Sequence, residues 1–249
     1  MSLKISLGGD VVQYLGAVGL LKALHESNEK DYEIHCSGFS CIPSLLWFYS
    51  PNTAYNILSN MWEESFKTFL NATTPSIKEL SKNFSIIIKM QKKLDTEDSK
   101  EKLERFVQKW IPEVNISDFD KLKIYSYNLQ KNAEEILTGN SRDAIMKAIA
   151  YPIDFSPIDS YISLSWVFGI PHGDVIIYID WDKEPRIKKA ADYLLVSTLA
   201  RTFRIVQMRV KHSVKTSIIQ LKNQQDFSQD FSMVSRRFYE SGIQLFPKK

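Results

Sequence analysis

The chain has 249 residues, 44% of them hydrophobic and 24% charged. That balance suits one globular domain with a large core and excludes a disordered or fibrous protein. A net charge of +3 and a pI near 8.6 are too mild to announce a nucleic-acid binder, whose footprint is strongly basic and clustered.

No apolar run approaches the roughly 18 to 20 residues of a membrane-spanning helix, and Met1-Ser2-Leu3-Lys4 lacks a signal peptide's apolar stretch, so a cytoplasmic protein is expected. Cys36 and Cys41 flank Ser-Gly-Phe-Ser and suit free thiols in a reducing compartment rather than a disulfide framework. His25, His35, His172 and His212 are scattered without the short spacings of zinc ligation, so neither a metal nor a cofactor is expected.

Five of the nine glycines, Gly8, Gly9, Gly16, Gly19 and Gly38, fall in the first 38 residues, where backbone must turn or approach something closely. Leu3-Lys4-Ile5-Ser6-Leu7 alternates and stops at Gly8-Gly9, which predicts a strand entering a tight loop. Residues 15 to 25 carry apolar positions at helical spacing, with Gly16 and Gly19 on a face able to lie close against a sheet. Tyr32-Glu33-Ile34-His35-Cys36 predicts a second strand, followed by Gly38-Phe39-Ser40-Cys41-Ile42 and an apolar helix over 43–49. These elements make a βαβ unit with parallel strands.

Residues 52–112 change character, with long amphipathic stretches such as 77–94 and a charged segment over 95–105, and predict a helical cap or insertion. Residues 122–129 and 134–138 predict a β-hairpin around Gln130-Lys131-Asn132-Ala133, and Ser141 is expected to cap a short helix through Ala150. Tyr161-Ile162-Ser163-Leu164-Ser165 reads as a strand, and the apolar run 175–179 as a buried central one. A helix over 187–211, a strand over 217–221 and a helix over 231–240 capped by Gly242 complete the pattern. One domain spanning 1–249 is expected. Trp47, Phe48, Trp62, Phe66 and Phe69 read as core rather than as an acyl pocket.

Gly38-x-Ser40-x-Ile42 lies between a strand and a helix, the setting of a nucleophile elbow, where a tight turn pushes the serine out at a helix N-terminus. Ser40 is therefore the candidate nucleophile and Gly38 the elbow glycine. In α/β-hydrolases the serine follows several strands, whereas here it follows the second. The order of Leu7-Gly8-Gly9, the run 15–24 and Gly38-Phe39-Ser40-Cys41 resembles the patatin-like lipid acyl hydrolases. Phe155-x-Pro157, Tyr161, Pro171, Asp174-Val175-Ile176-Ile177 and the closing helix through Gly242 continue the likeness over most of the chain.

The resemblance implies a three-layer α/β/α fold with a mostly parallel central sheet and a helical insertion. It also implies a Ser-Asp dyad attacking a lipid acyl ester, with Gly8 and Gly9 as oxyanion donors. Such chemistry needs a base beside the hydroxyl and preorganised donors for the tetrahedral oxygen. The sequence departs from the family where the dyad aspartate should follow Tyr161: Ser163 stands there, and Leu164 replaces the glycine after it. Asp10 occupies the third small position of the glycine loop, and Gln13 the family's arginine position. His172, oriented by Asp174, is the candidate substitute base; Asp154 and Asp159 are read as turn or solvent-facing residues.

Between Arg186 and Lys215 eight Lys or Arg, Arg201, Arg204 and Arg209 among them, face the single acid Asp192. This asymmetry suits either a solvated helix face or peripheral contact with anionic head groups. Two functions are expected from these features: a weak or inactive acyl hydrolase scaffold built on Ser40, or a non-catalytic protein that binds lipid or a protein partner. A nucleotide-binding domain is disfavoured, since residues 8–13 do not form Gly-x-Gly-x-x-Gly, and nucleic acid is not expected as a partner.

Overall fold

A computed structural model of the chain describes residues 2–9, 11–27, 29–66, 97–152, 155–181, 190–221 and 231–246. In chain order the elements are β1 (Leu3–Leu7), α1 (Val11–Glu26), β2 (Tyr32–Ser37), a tight turn (Gly38–Ser40), α2 (Cys41–Tyr49) and α3 (Pro51–Met61). A widened turn (Trp62–Phe66) extends α3, and α4 (Glu97–Trp110), β3 (Leu122–Asn128), β4 (Ala133–Leu137) and α5 (Ser141–Ile149) follow. The chain ends with β5 (Tyr161–Ser163), a single turn α6 (Leu164–Val167), β6 (Val175–Trp181), α7 (Ala190–Lys211), β7 (Lys215–Leu221) and α8 (Phe231–Leu245).

The fold is α/β, with one mixed, mostly parallel sheet in the order β4-β3-β2-β1-β6-β7. β1 pairs in parallel with both β2 and β6, as the βαβ pattern of the first 37 residues requires. β3 is parallel to β2, and β4 closes that edge antiparallel through the expected hairpin. β4 occupies one edge of β3 over Ile124–Asn128, so β5, which pairs with Ser126–Asn128, lies on the other edge. That edge is the one β2 uses as far as Ser37 opposite Tyr125. β5 thus takes up the backbone donors and acceptors that β2 abandons when it turns away at Gly38, which keeps them paired. β6 lies inside the sheet, between β1 and β7, with Val175 and Ile176 buried.

The core is continuous beneath α1, α2, α3 and α5 and includes Ile5, Leu7, Tyr14, Leu20, Ile34, Ile42, Trp47 and Trp62. α1 buries Tyr14, Ala17, Val18, Leu20, Leu21, Ala23 and Leu24 and packs closely against α8. Gly16 and Gly19 face that helix rather than the expected sheet: a Cβ on Gly19 would lie 2.0 Å from the Ser235 carbonyl oxygen.

Several boundaries differ from the sequence reading for tertiary reasons. α8 runs past Gly242 to Leu245, since a Cβ there would meet the Cβ of Ala23 at 2.6 Å, so the glycine serves helix contact and not a C-cap. Asn140 caps α5, its Oδ1 accepting from Arg142 N–H at 2.9 Å, while Ser141 is the first helical residue and its hydroxyl donates to the Pro112 carbonyl. The strand starting at Tyr161 stops at Ser163, and Leu164 begins a helical turn. Of the segment 52–112, α3, its widened turn and α4 are described; the amphipathic stretch 77–94 lies outside the described residues, as do Phe69 and residues 187–189 of the predicted helix. No helix among the described residues is long and apolar enough to cross a membrane.

Candidate functional site

The glycine loop and the Gly38 turn both leave the carboxyl ends of parallel strands, β1 and β2, the end where open α/β sheets carry their ligand crevices. Gly38 has φ +64°, and a Cβ there would lie 2.2 Å from the Gly9 carbonyl oxygen, so only glycine permits the turn to sit on the loop. The Gly9 carbonyl accepts from Phe39 N–H at 3.1 Å and locks the two segments together. Ser37 pairs with Tyr125 and Ser163 with the adjacent Ser126, which brings the end of β5 beside the turn.

Seven groups singled out by sequence or structure therefore converge: Gly8, Gly9, Ser37, Gly38, Ser40, Ser163 and Ser165. Ser40 is fully buried, with φ −67° and ψ −14°, an ordinary helical conformation. Its hydroxyl donates to the Ser37 carbonyl at 2.8 Å, and its carbonyl accepts from the Ser44 hydroxyl at 2.8 Å. The positive φ of the turn falls on Gly38 instead of the serine, so the serine is not thrust outward.

Two of the amides near the serine already have partners. Gly9 N–H donates to Ser165 Oγ at 2.8 Å, and Cys41 N–H, just after the serine, donates back to the carbonyls of Gly38 and Phe39. Ser165 also shares a 2.8 Å hydrogen bond with Ser37 Oγ. Sequence reasoning misses Ser165; its place two residues beyond Ser163, on the segment that follows the dyad position, is the only local signal. Ser163 is fully buried, and its hydroxyl has no hydrogen-bond partner among the described residues.

The substitute base is not brought to this cluster. Asp174 precedes β6 and its Oδ2 accepts from Lys4 N–H at 3.0 Å, at the amino end of β1. About 10 Å of strand, from Lys4 to Leu7, separates it from the glycine loop. His172 is exposed. Partial burial holds its imidazole below the usual value, with Arg209 acting in the same direction and Glu134 against it. Neither His172 nor Asp174 hydrogen-bonds Ser40. Asp159 adopts φ 47° and pairs with Lys147 at 3.3 Å. Asp10, Asp154 and the Gln13 side chain lie outside the described residues.

Of the basic residues, Arg201 and Arg204 are exposed on α7. Arg209, expected with them, is instead 7% exposed. It points inward because Glu134 on β4 and the Ile170 carbonyl accept from it and the Phe168 ring lies 4.9 Å beneath its guanidinium. Cys36 and Cys41 are free and buried, and burial together with contact with Cys36 pushes the Cys41 thiol well up.

No protein-family model matches the chain, and no curated protein matches it at a significant level. The class defined by the fold and this cluster is an α/β protein with a buried, serine-rich turn at the carboxyl ends of its parallel strands.

Proposed function

We propose that the chain is a retired lipid acyl hydrolase scaffold of the patatin-like type, with a three-layer α/β/α arrangement and no turnover at Ser40, and that it acts by binding. One observation carries the reading: the Ser40 hydroxyl is buried and donates to the Ser37 carbonyl, with no imidazole or carboxylate as partner among the described residues. A serine without a neighbouring base is a weak nucleophile. The filled amides support the same reading, because a tetrahedral oxygen at Ser40 would have to displace Ser165 Oγ from Gly9 N–H. In place of a dyad aspartate stands Ser163, whose hydroxyl cannot accept a proton usefully near neutral pH. The ligand in this reading is a lipid or acyl ester, and the compartment is the cytoplasm, where the free thiols Cys36 and Cys41 stay reduced.

The test is labelling of the purified, folded chain by a fluorophosphonate serine-hydrolase probe, with Ser40→Ala beside it and a short-chain ester assay in parallel. The expected result is no labelling above Ser40→Ala and no ester cleavage. Labelling that disappears in Ser40→Ala would establish an activated serine and overturn the retired-scaffold reading.

A further inference from the structure

We infer that the outward face of α7 docks on an anionic lipid surface. The inner side of this helix belongs to the protein: Val206 and Val210 pack on Ile170 and Ile176, Thr202 Oγ1 donates to the Trp166 carbonyl at 3.0 Å, and Arg209 is held by Glu134. The 22 residues of α7 span about 33 Å, and the opposite side turns away from these contacts. Helical spacing lines up Tyr193, Arg201, Arg204, Met208 and Lys211 along it, all exposed. Val214 stands in the turn just beyond.

The apolar members are not marginal: Tyr193 is 63% exposed, Met208 54% and Val214 77%. Single exposed apolar side chains are ordinary, but apolar groups alternating with Arg and Lys along one helix face are the pattern of a helix lying in a lipid interface. The cations reach head-group phosphates while their stems and the methionine and valine enter the acyl boundary. Among the described side chains of the stripe there is no carboxylate, so its charge complements an anionic surface.

The alternatives fit less well. A second copy of the chain would set Arg201, Arg204 and Lys211 against cations. A nucleic acid would satisfy the cations and leave Met208 and Val214 without any contact that phosphate or sugar can reward. The inference does not rest on the reading of Ser40. It does give α7 a route to that cluster: Thr202 and Val206 sit on the segment from Trp166 to Gly169, which follows Ser165.

The experiment is co-sedimentation of the full chain with phosphatidylcholine vesicles and with vesicles containing one-third phosphatidylglycerol. Native protein is expected to sediment with the anionic vesicles only. Each cation removed near such a surface weakens binding about fivefold, so Arg201→Ala with Arg204→Ala should weaken it about 25-fold. Met208→Ser with Val214→Ser should weaken it about tenfold or more, including at salt concentrations that screen the charges. All four positions are exposed, and unchanged melting temperatures would show that both double variants are folded; either pair alone suffices as the test. Ser40→Ala should bind as native, which separates failure here from failure of the hydrolase reading. Equal binding to neutral vesicles, no binding to either, or variants that bind as native would overturn the inference. So would retention on duplex DNA with no vesicle binding, which would assign the face to nucleic acid.

Discussion

At the scale of single residues, Ser163 decides most. Its hydroxyl is buried, at the end of β5 where it pairs with β3, with no hydrogen-bond partner among the described residues. A buried polar group left unpaired costs about 1–3 kcal/mol relative to one that is satisfied. Ser163→Ala removes the unpaired group while leaving a cavity of hardly more than one oxygen, so it is expected to stabilise the chain by about 1 kcal/mol. For a domain of this size that raises Tm by about 2–4 °C in a thermal melt. A loss of stability would mean that the hydroxyl has a role the present geometry does not show. Ser165, two residues on, is the contrast: its oxygen serves both Gly9 N–H and Ser37, and its removal would strand both.

At the scale of elements, β2 and β3 carry a relay on the sheet face opposite their core residues. Tyr125 OH lies 3.0 Å from His35 Nδ1, and His35 Nε2 lies 3.0 Å from Glu33 Oε2. Burial holds the His35 imidazole below its ordinary value, against the hydrogen bond and charge of Glu33 and with the charges of Lys4 and Lys123. Burial, aided by nearby Glu134, also pushes Tyr125 up to about 12, so the phenol stays protonated and can donate to a neutral imidazole.

The direction sets the pH dependence. With a folded value below the unfolded value of about 6.5, the unfolded chain binds the proton first as pH falls. Stability is complete above about pH 6.5 and is lost as pH drops below it, at no more than about 1.4 kcal/mol per pH unit for one group. Urea unfolding between pH 7 and 5 should show this slope, and His35→Gln should reduce it, leaving the contribution of His172, which has the same sign. An unchanged slope in His35→Gln would place the proton uptake elsewhere. Glu135 acts lower on the scale: Lys131, Tyr161 and Asn128 hold its carboxylate down to about 2, so its contribution is lost only as pH falls from about 4.5 toward that value.

At the scale of the whole molecule, the fold is closed by its last helix lying on its first. Gly16, Gly19 and Gly242 let α1 and α8 approach until side chain meets backbone, and Phe238 fills the space beside Gly16. Gly19→Ala sets a methyl 2.0 Å from the Ser235 carbonyl oxygen and 2.8 Å from Tyr239 N, atoms that cannot swing aside. The better helix propensity of alanine offsets about 1 kcal/mol, and the forced separation outweighs it. The expected net loss is about 2 kcal/mol, a fall in Tm of about 4–8 °C by differential scanning calorimetry. A neutral or stabilising result would show that α8 can shift along α1 without cost.

Much of this architecture is legible in the amino-acid sequence. The strand over residues 3–7, the helix after Gly9, the strand ending at the Gly38 turn and the hairpin of β3 and β4 all rest on periodicity and turn residues, which are local signals. Where local rules mislead, tertiary contact overrides them. Gly242 reads like a C-cap and serves as a contact with Ala23; Ser141 reads like an N-cap, but its hydroxyl is committed to Pro112 and Asn140 does the capping. Arg209 reads like Arg201 and Arg204 along the chain, and only the position of Glu134 turns it inward.

The sequence by itself determined the order of strands and helices, the sharp turn at Gly38 and the lack of an acid at position 163, because each depends on neighbours a few residues apart. The tertiary structure alone decided which polar groups meet. The hydrogen bonds that settle the site join Gly9 to Ser165 across 156 residues, Ser37 to Ser165 across 128 and Lys4 to Asp174 across 170. The last of these holds Asp174 at the far end of β1 from Ser40. Contacts at such separations follow from strand order and register, which no local periodicity encodes.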